Sequence, residues 1–269
     1  MTLLSRTGEM TIAELVRPIV TDGKIAYVGS ITIDEDALDA AGILPCEMVY
    51  IDDADRKGPP WRTYTLAGTR GKGDIVNNGP PAYHFAEGDH VTIRAAAQIA
   101  YEDMAQVAGM HTKVFFKQAA GAPNRVIAPT HQLVLPPKHW RKMCTSKLHR
   151  ARVTKASKNG PEALIVDGDI LEAAGFQAGL EVQFTSLRDG VLRRTSMQAG
   201  PRGTGAVEVY GSGAWHIEVG TLLITLAEEW LPYEDAVKNT EPRVVFFDES
   251  ITGRNVIRHE MTKVGWRPS

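Results

Sequence analysis

The chain has 269 residues, enough for two ordinary domains. Hydrophobic residues make up 43 % and charged residues 23 %, the balance of a folded chain and not of a disordered one. A formal net charge of −2 gives no electrostatic reason to expect nucleic acid or an anionic membrane as partner. Two isolated cysteines, Cys46 and Cys144, supply neither a disulfide framework nor a zinc cluster of the usual spacing.

From the N-terminus, Arg6, Glu9, Glu14 and Arg17 interrupt any apolar core of a secretory signal. No apolar run anywhere approaches the roughly 18 residues needed to span a bilayer, so a cytoplasmic protein is expected. Residues 24–33 mix apolar, aromatic and β-branched side chains and predict a strand. Asp34 can then cap a short helix, with Glu35 and Asp36 in its first turn and Gly42 as a left-handed stop. Residues 89–93 alternate and predict another strand. Residues 118–142 hold Pro123, Pro129, Pro136 and Pro137 without a clear amphipathic period, and read as a linker.

Beyond that segment the sequence repeats itself. Val20-Thr21 recurs as Val153-Thr154 and Asp39-Ala40-Ala41-Gly42 as Glu172-Ala173-Ala174-Gly175, both at an offset of 133. Arg70-Gly71 recurs as Arg202-Gly203, His84 as His216 and Tyr101-Glu102-Asp103 as Tyr233-Glu234-Asp235, at 132. Val114-Phe115-Phe116 recurs as Val245-Phe246-Phe247, at 131. Chance matches would scatter in offset, and a period this long is a duplicated domain, not a solenoid. The copies are read as 9–117 and 143–250, followed by a C-terminal tail, 251–269. The helix signal recurs at Asp167, Asp169 and Gly175. Short strands with few short helices predict a mainly β protein of two small barrels.

The string Tyr27-Val28-Gly29-Ser30-Ile31-Thr32-Ile33-Asp34, followed by Leu38-Asp39-Ala40-Ala41-Gly42, resembles the processing site of the pyruvoyl-dependent aspartate 1-decarboxylase family. Thr63-Tyr64, Arg70-Gly71 and Asn78-Gly79 fall where that family has the same dipeptides. In the second copy, Lys147-Leu148-His149-Arg150 and Val153-Thr154 resemble its N-terminal segment. The resemblance implies two tandem double-psi β-barrels. It also implies a chain cut between Gly29 and Ser30, with a pyruvoyl group derived from Ser30 as cofactor and neither metal nor pyridoxal phosphate.

The implied chemistry suits these residue types. The Ser30 hydroxyl attacks the Gly29 carbonyl, and glycine leaves that carbonyl open and the backbone free to distort. Thr63 matches the donor that stabilises the oxyanion. The pyruvoyl carbonyl then forms a Schiff base with a small amino-acid substrate and accepts the electrons freed when CO2 leaves. Tyr64 matches the proton donor, and Asn78 and Gly79 match a substrate-holding loop.

Each copy lacks what the other keeps. The second copy has Glu162-Ala163 in place of glycine-serine, Ser196 for the tyrosine and Tyr210 for the asparagine; the first has Glu14-Leu15-Val16 in place of Lys-Leu-His. In the family the lysine and histidine come from a neighbouring subunit. The resemblance therefore implies one composite site, with Lys147 and His149 supplied by the second copy. Losing two charged hydrogen bonds of about 1.5–3 kcal/mol each would cost roughly two to four powers of ten, so the first copy alone would make a poor site. Fusing two subunits of a four-barrel assembly implies a homodimer, a pseudo-tetramer of barrels.

One position departs from the pattern. Pro60, and Leu192 in the second copy, stand where the family has the arginine that grips the substrate's side-chain carboxylate, and Arg193 is the nearest replacement. The expected reaction is L-aspartate to β-alanine and CO2. Decarboxylation of another acidic or modified amino acid, or an uncut barrel pair with a binding role, are the alternatives. The glycines from Gly68 to Gly73 and from Gly200 to Gly213 open no helix after a strand and carry no nucleotide loop. His84 and His90 lack partners at metal-ligand spacing.

Overall fold

The computed structural model describes residues 6–25, 29–55, 60–119, 122–130, 132–239 and 241–261. The chain divides into two units, residues 1–143 with 229–240, and residues 144–228 with 241–269. Residues 229–240 belong by sequence to the second copy of the repeat yet group with the first unit.

In chain order the first copy contains β1 (Thr7–Val16), β2 (Asp22–Lys24), β3 (Ser30–Asp34), α1 (Glu35–Ala41), β4 (Met48–Asp53), β5 (Trp61–Gly68), β6 (Ile75–Asn78), a 3₁₀ turn (Pro80–Tyr83), β7 (Val91–Ala100), α2 (Tyr101–Val107), β8 (Thr112–Ala119) and β9 (Ala122–Ile127). The strand read over 24–33 is two strands. Ile25 turns after β2, β3 opens at Ser30, and Tyr27 and Val28 of the processing string lie outside the described residues.

The pairing interlocks parallel and antiparallel neighbours. β1 runs antiparallel to β7 and parallel to β8. β4 lies antiparallel to both β7 and β5. β3 runs parallel to β5 and antiparallel to β6, and β6 runs parallel to β2. Ile31, Ile33, Leu15, Val49, Ile51 and Ile93 fill the interior. The helix signals hold: the Asp34 side chain accepts from the Asp36 N–H, and Gly42 ends α1 at φ 66°.

The second copy repeats this with β10 (His139–Arg152), β11 (Lys155–Ser157), β12 (Ala163–Asp167), α3 (Gly168–Ala174), β13 (Glu181–Ser186), β14 (Leu192–Gly200), β15 (Val207–Tyr210), a 3₁₀ turn (Gly211–Ala214), β16 (Leu222–Pro232), α4 (Tyr233–Ala236), β17 (Arg243–Phe247) and β18 (Ile257–Met261). β10 is parallel to β17, β12 to β14 and β11 to β15; β13 is antiparallel to β14 and β16, and β12 to β15. Each pairing has its counterpart in the first copy, so the chain is two double-psi β-barrels in tandem.

Residues 118–142, read from sequence as a linker, are partly built into the first barrel. β9 pairs antiparallel with β8, and the buried Asn124 is hydrogen-bonded to Ile19 and Gly73. Pro123 sits on a strand that, among the described residues, pairs with β8 alone, where a missing N–H is tolerated. The C-terminal tail likewise carries β18, which pairs with β17.

Candidate active site

Ser30 opens β3 and lies directly opposite Asn78 on β6. Both are buried, Ser30 completely. The Asn78 amide nitrogen donates to Ser30 Oγ at 3.1 Å and to Thr32 Oγ1 at 2.9 Å. Ser30 and Thr32 share a face because side chains two apart on a strand point the same way. After Asn78 the chain turns at Gly79, with φ 67° and ψ −133°, a conformation closed to other residues, and the Gly79 N–H donates to the Lys24 carbonyl.

The other neighbour of β3 is β5, running parallel, with Ile31 beside Thr65. One step back on each strand puts Ser30 beside Tyr64, on the same face. Tyr64, Ser30 and Asn78 thus form one row across β5, β3 and β6. Tyr64 is 2 % exposed. Thr63 faces the other way, on the side of Ile31, at the level of the buried Gly29. The structure therefore brings Gly29, Ser30, Thr63, Tyr64, Asn78 and Gly79 to one end of β3, with the threonine and tyrosine on opposite faces of β5.

Sequence reading passed over Arg62. It lies two residues before Tyr64 on the same face, 4 % exposed, with its guanidinium 5.0 Å from the Tyr50 ring centroid. It stands one residue before Thr63, where the resemblance directed attention to position 60. A search for any buried cation on that face, and not for one fixed spacing, would have found it.

Lys147, His149 and Arg193 belong to the second unit. Lys147 and His149 share a face of β10, opposite Val244 and Phe246 of β17. Lys147 has no exposed surface, and burial pulls its ammonium down to about 7, with the nearby Cys144 acting in the opposite sense. Burial, with Lys147 and Arg150 adding repulsion, holds His149 neutral. Its ring meets Phe246 edge-on at 5.1 Å. At the matching place in the first copy, Glu14 takes the lysine's position opposite Lys113, and its carboxylate is 2.9 Å from His111 Nε2.

Arg193 is already engaged. Its two terminal nitrogens donate to the Asp189 carboxylate, at 3.3 and 2.6 Å, and to the carbonyls of Val191 and Trp215. A substrate carboxylate would have to displace Asp189, because the guanidinium fork is spent on its own barrel.

The second barrel's counterpart of the site has neither the serine nor the amide. Ala163 lies opposite Tyr210 as Ser30 lies opposite Asn78. The Tyr210 hydroxyl turns to Glu208. Glu162, in place of Gly29, accepts from the N–H and hydroxyl of Ser212, at 3.0 and 2.6 Å, and from the Gly213 N–H at 2.9 Å. The Ser212 hydroxyl, seconded by these backbone donors, holds the Glu162 carboxyl below its ordinary range. Ser212, given no role from sequence, anchors this carboxylate.

No group of His, Cys, Asp and Glu among the described residues could hold a metal ion. No helix among them is long and apolar enough to cross a membrane.

The sequence pattern of the aspartate decarboxylase family matches twice, over residues 7–121 and 139–253. An aspartate 1-decarboxylase of Exiguobacterium sibiricum is 47 % identical over 93 residues, 35 % of this chain and 72 % of that protein. One from Neisseria meningitidis is 43 % identical over 89 residues, 33 % of this chain and 69 % of the relative. One from Bacteroides thetaiotaomicron is 44 % identical over 84 residues, 31 % and 71 % respectively. With two tandem matches that together span most of its length, the chain belongs to the aspartate decarboxylase family.

Proposed function

We propose that this chain cleaves itself between Gly29 and Ser30, keeps the pyruvoyl group so formed, and α-decarboxylates L-aspartate to β-alanine and CO2. The observation that carries the reading is the row Tyr64–Ser30–Asn78, found in a member of this family. Ser30 is buried between a phenol and an amide donor and follows a glycine, which fits a serine whose oxygen attacks the preceding carbonyl.

When formed, the pyruvoyl group supplies a carbonyl that draws electrons from the substrate as CO2 departs. The chain's own residues do the rest. Tyr64, beside Ser30, is placed to return a proton to the substrate carbon. Thr63, at the level of Gly29, is the candidate donor to the oxyanion during cleavage. Asn78 and Gly79 hold the substrate. Lys147 and His149 of the second copy are the candidates to meet its carboxylates, and Arg62, on the face of Tyr64, is the candidate cation for the side-chain carboxylate, with Arg193 already committed to Asp189. A cytoplasmic homodimer, four barrels with two active sites, would assemble such sites, and its mass in solution is the check.

Intact mass is the deciding measurement. Purified protein should separate into a small fragment ending at Gly29 and a large one beginning with pyruvoyl, and Ser30→Ala should abolish both cutting and CO2 release. A fully active protein with an unbroken backbone would end this reading. A second reading, decarboxylation of a different acidic or modified amino acid, draws on Pro60 and the engaged Arg193; a CO2-release profile over amino acids separates the two.

A further inference from the structure

We propose that Thr32 is a positioning residue for the maturation of Ser30. Its hydroxyl holds the Asn78 amide so that the amide's other N–H meets Ser30 Oγ. This rests on the reading that Gly29–Ser30 is the scissile bond.

The geometry is a three-residue bracket on one sheet face. A primary amide has two N–H bonds fixed in its plane. One nitrogen, Asn78 Nδ2, reaches both Thr32 Oγ1 at 2.9 Å and Ser30 Oγ at 3.1 Å, so each hydroxyl can take one hydrogen. Fixing the amide plane through Thr32 fixes the direction of the bond to Ser30. Ser30 Oγ then accepts in this bond, which does not use the hydroxyl's own proton. The same N–H stabilises the oxygen as it gains negative charge.

The duplication supplies an internal control. Register pairs place Ala163 at the position of Ser30 and Tyr210 at that of Asn78, and the residue two beyond Ala163 on β12 is Ile165, at the place of Thr32. All three polar members are replaced together in the copy that has no serine to process. An ordinary surface threonine would have no reason to follow the serine and asparagine in this way.

The bracket also has a consequence after cleavage. Ser30 Oγ bonds to the Gly29 carbonyl carbon as the peptide C–N bond breaks and the hydroxyl proton passes to the Ser30 nitrogen, giving an ester and a free amine. Loss of the Ser30 α-proton then breaks Cβ–Oγ, and the oxygen departs within the new Gly29 carboxylate. The remaining enamine tautomerises, takes up water and releases ammonia. Asn78 therefore loses its Ser30 partner while Thr32 stays, so a donor is released next to the new carbonyl with its amide already oriented.

The experiment follows cleavage of the full-length chain by intact mass against time. Thr32→Val should slow cleavage roughly 2- to 15-fold, the effect of one neutral hydrogen bond, and Thr32→Ser should restore it. In an Asn78→Ala background, Thr32→Val should add nothing, because its effect passes through that amide. Wild-type cleavage speed in Thr32→Val, or equal slowing with and without Asn78, overturns the proposal. If Thr32→Val fails to fold, Thr32→Ala is put through the same cycle and judged by the same outcomes. A wild-type chain that never cleaves defeats the reading of Gly29–Ser30 itself, and the proposal with it.

Discussion

Asn124 and Asn255 make the same three hydrogen bonds in the two barrels. Asn124 accepts from the Ile19 N–H and donates to the carbonyls of Ile19 and Gly73; Asn255 accepts from the Arg152 N–H and donates to the carbonyls of Arg152 and Gly205. Each side chain clamps two distant backbone segments, and each is buried. Alanine at either position strands buried backbone groups, at about 1–3 kcal/mol. Urea denaturation should show a lowered midpoint for Asn124→Ala and for Asn255→Ala alike. A midpoint unchanged by Asn255→Ala would mean that the segment after β17 is dispensable to the second barrel.

Lys147 should leave a pH signature. The unfolded chain keeps its lysine proton up to about pH 10.5, whereas burial holds the folded group down to about 7. Between those values the unfolded state binds more protons, so this residue makes stability rise with pH, by up to about 1.4 kcal/mol per unit. Below about 7 the full cost of a buried cation is present. Melting temperatures of Lys147→Met should therefore exceed wild type most at neutral pH and converge with it near pH 10. A difference that does not vary with pH would place the lysine proton elsewhere. If Lys147 meets the substrate, KM for an acidic substrate should also climb with pH above about 7, as its cation empties.

The residues that sequence reading located are those with local signals. Asp34 and Gly42 carry local helix-capping signals, and an offset that drifts only from 133 to 131 exposed the second barrel without any knowledge of the fold. What sequence missed is non-local. The buried Arg141 donates to Glu47 and to the Gly42 carbonyl, ninety-four positions away in the first case. No spacing rule connects those residues; only strand topology brings them together. Arg62 was hidden by the same cause. Its relevance lies in sharing a face with Tyr64 and Ser30, which depends on the parallel register of β3 and β5. Ser212 carries no local signal, because its partner Glu162 is fifty residues away.

Arg62 and Arg193 make opposite predictions for the carboxylate grip. If Arg62 meets the substrate, Arg62→Met should raise KM for aspartate about 10- to 150-fold, the scale of one charged hydrogen bond, and a lysine there should recover only part of it, since an ammonium cannot reproduce the fork. Arg193→Gln should leave KM near wild type while lowering the stability of the second barrel, because it breaks the pair with Asp189. The reverse pattern, with KM moved by Arg193→Gln alone, would return the grip to the second barrel and require Asp189 to give way.

The second barrel tests how much of self-cleavage resides in the scissile pair. Glu162→Gly with Ala163→Ser installs the dipeptide, but the new serine would face Tyr210 and Ile165, neither of which donates as the Asn78 amide does. It also removes the carboxylate that Ser212 and Gly213 now hold, leaving their donors to solvent. The expected result is a single cut, still after Gly29, and no fragment ending at residue 162. Adding Ile165→Thr and Tyr210→Asn rebuilds the amide bracket, and any second cut should appear only then. Cleavage after residue 162 in the two-residue graft would mean that barrel strain, and not the amide network, drives the attack.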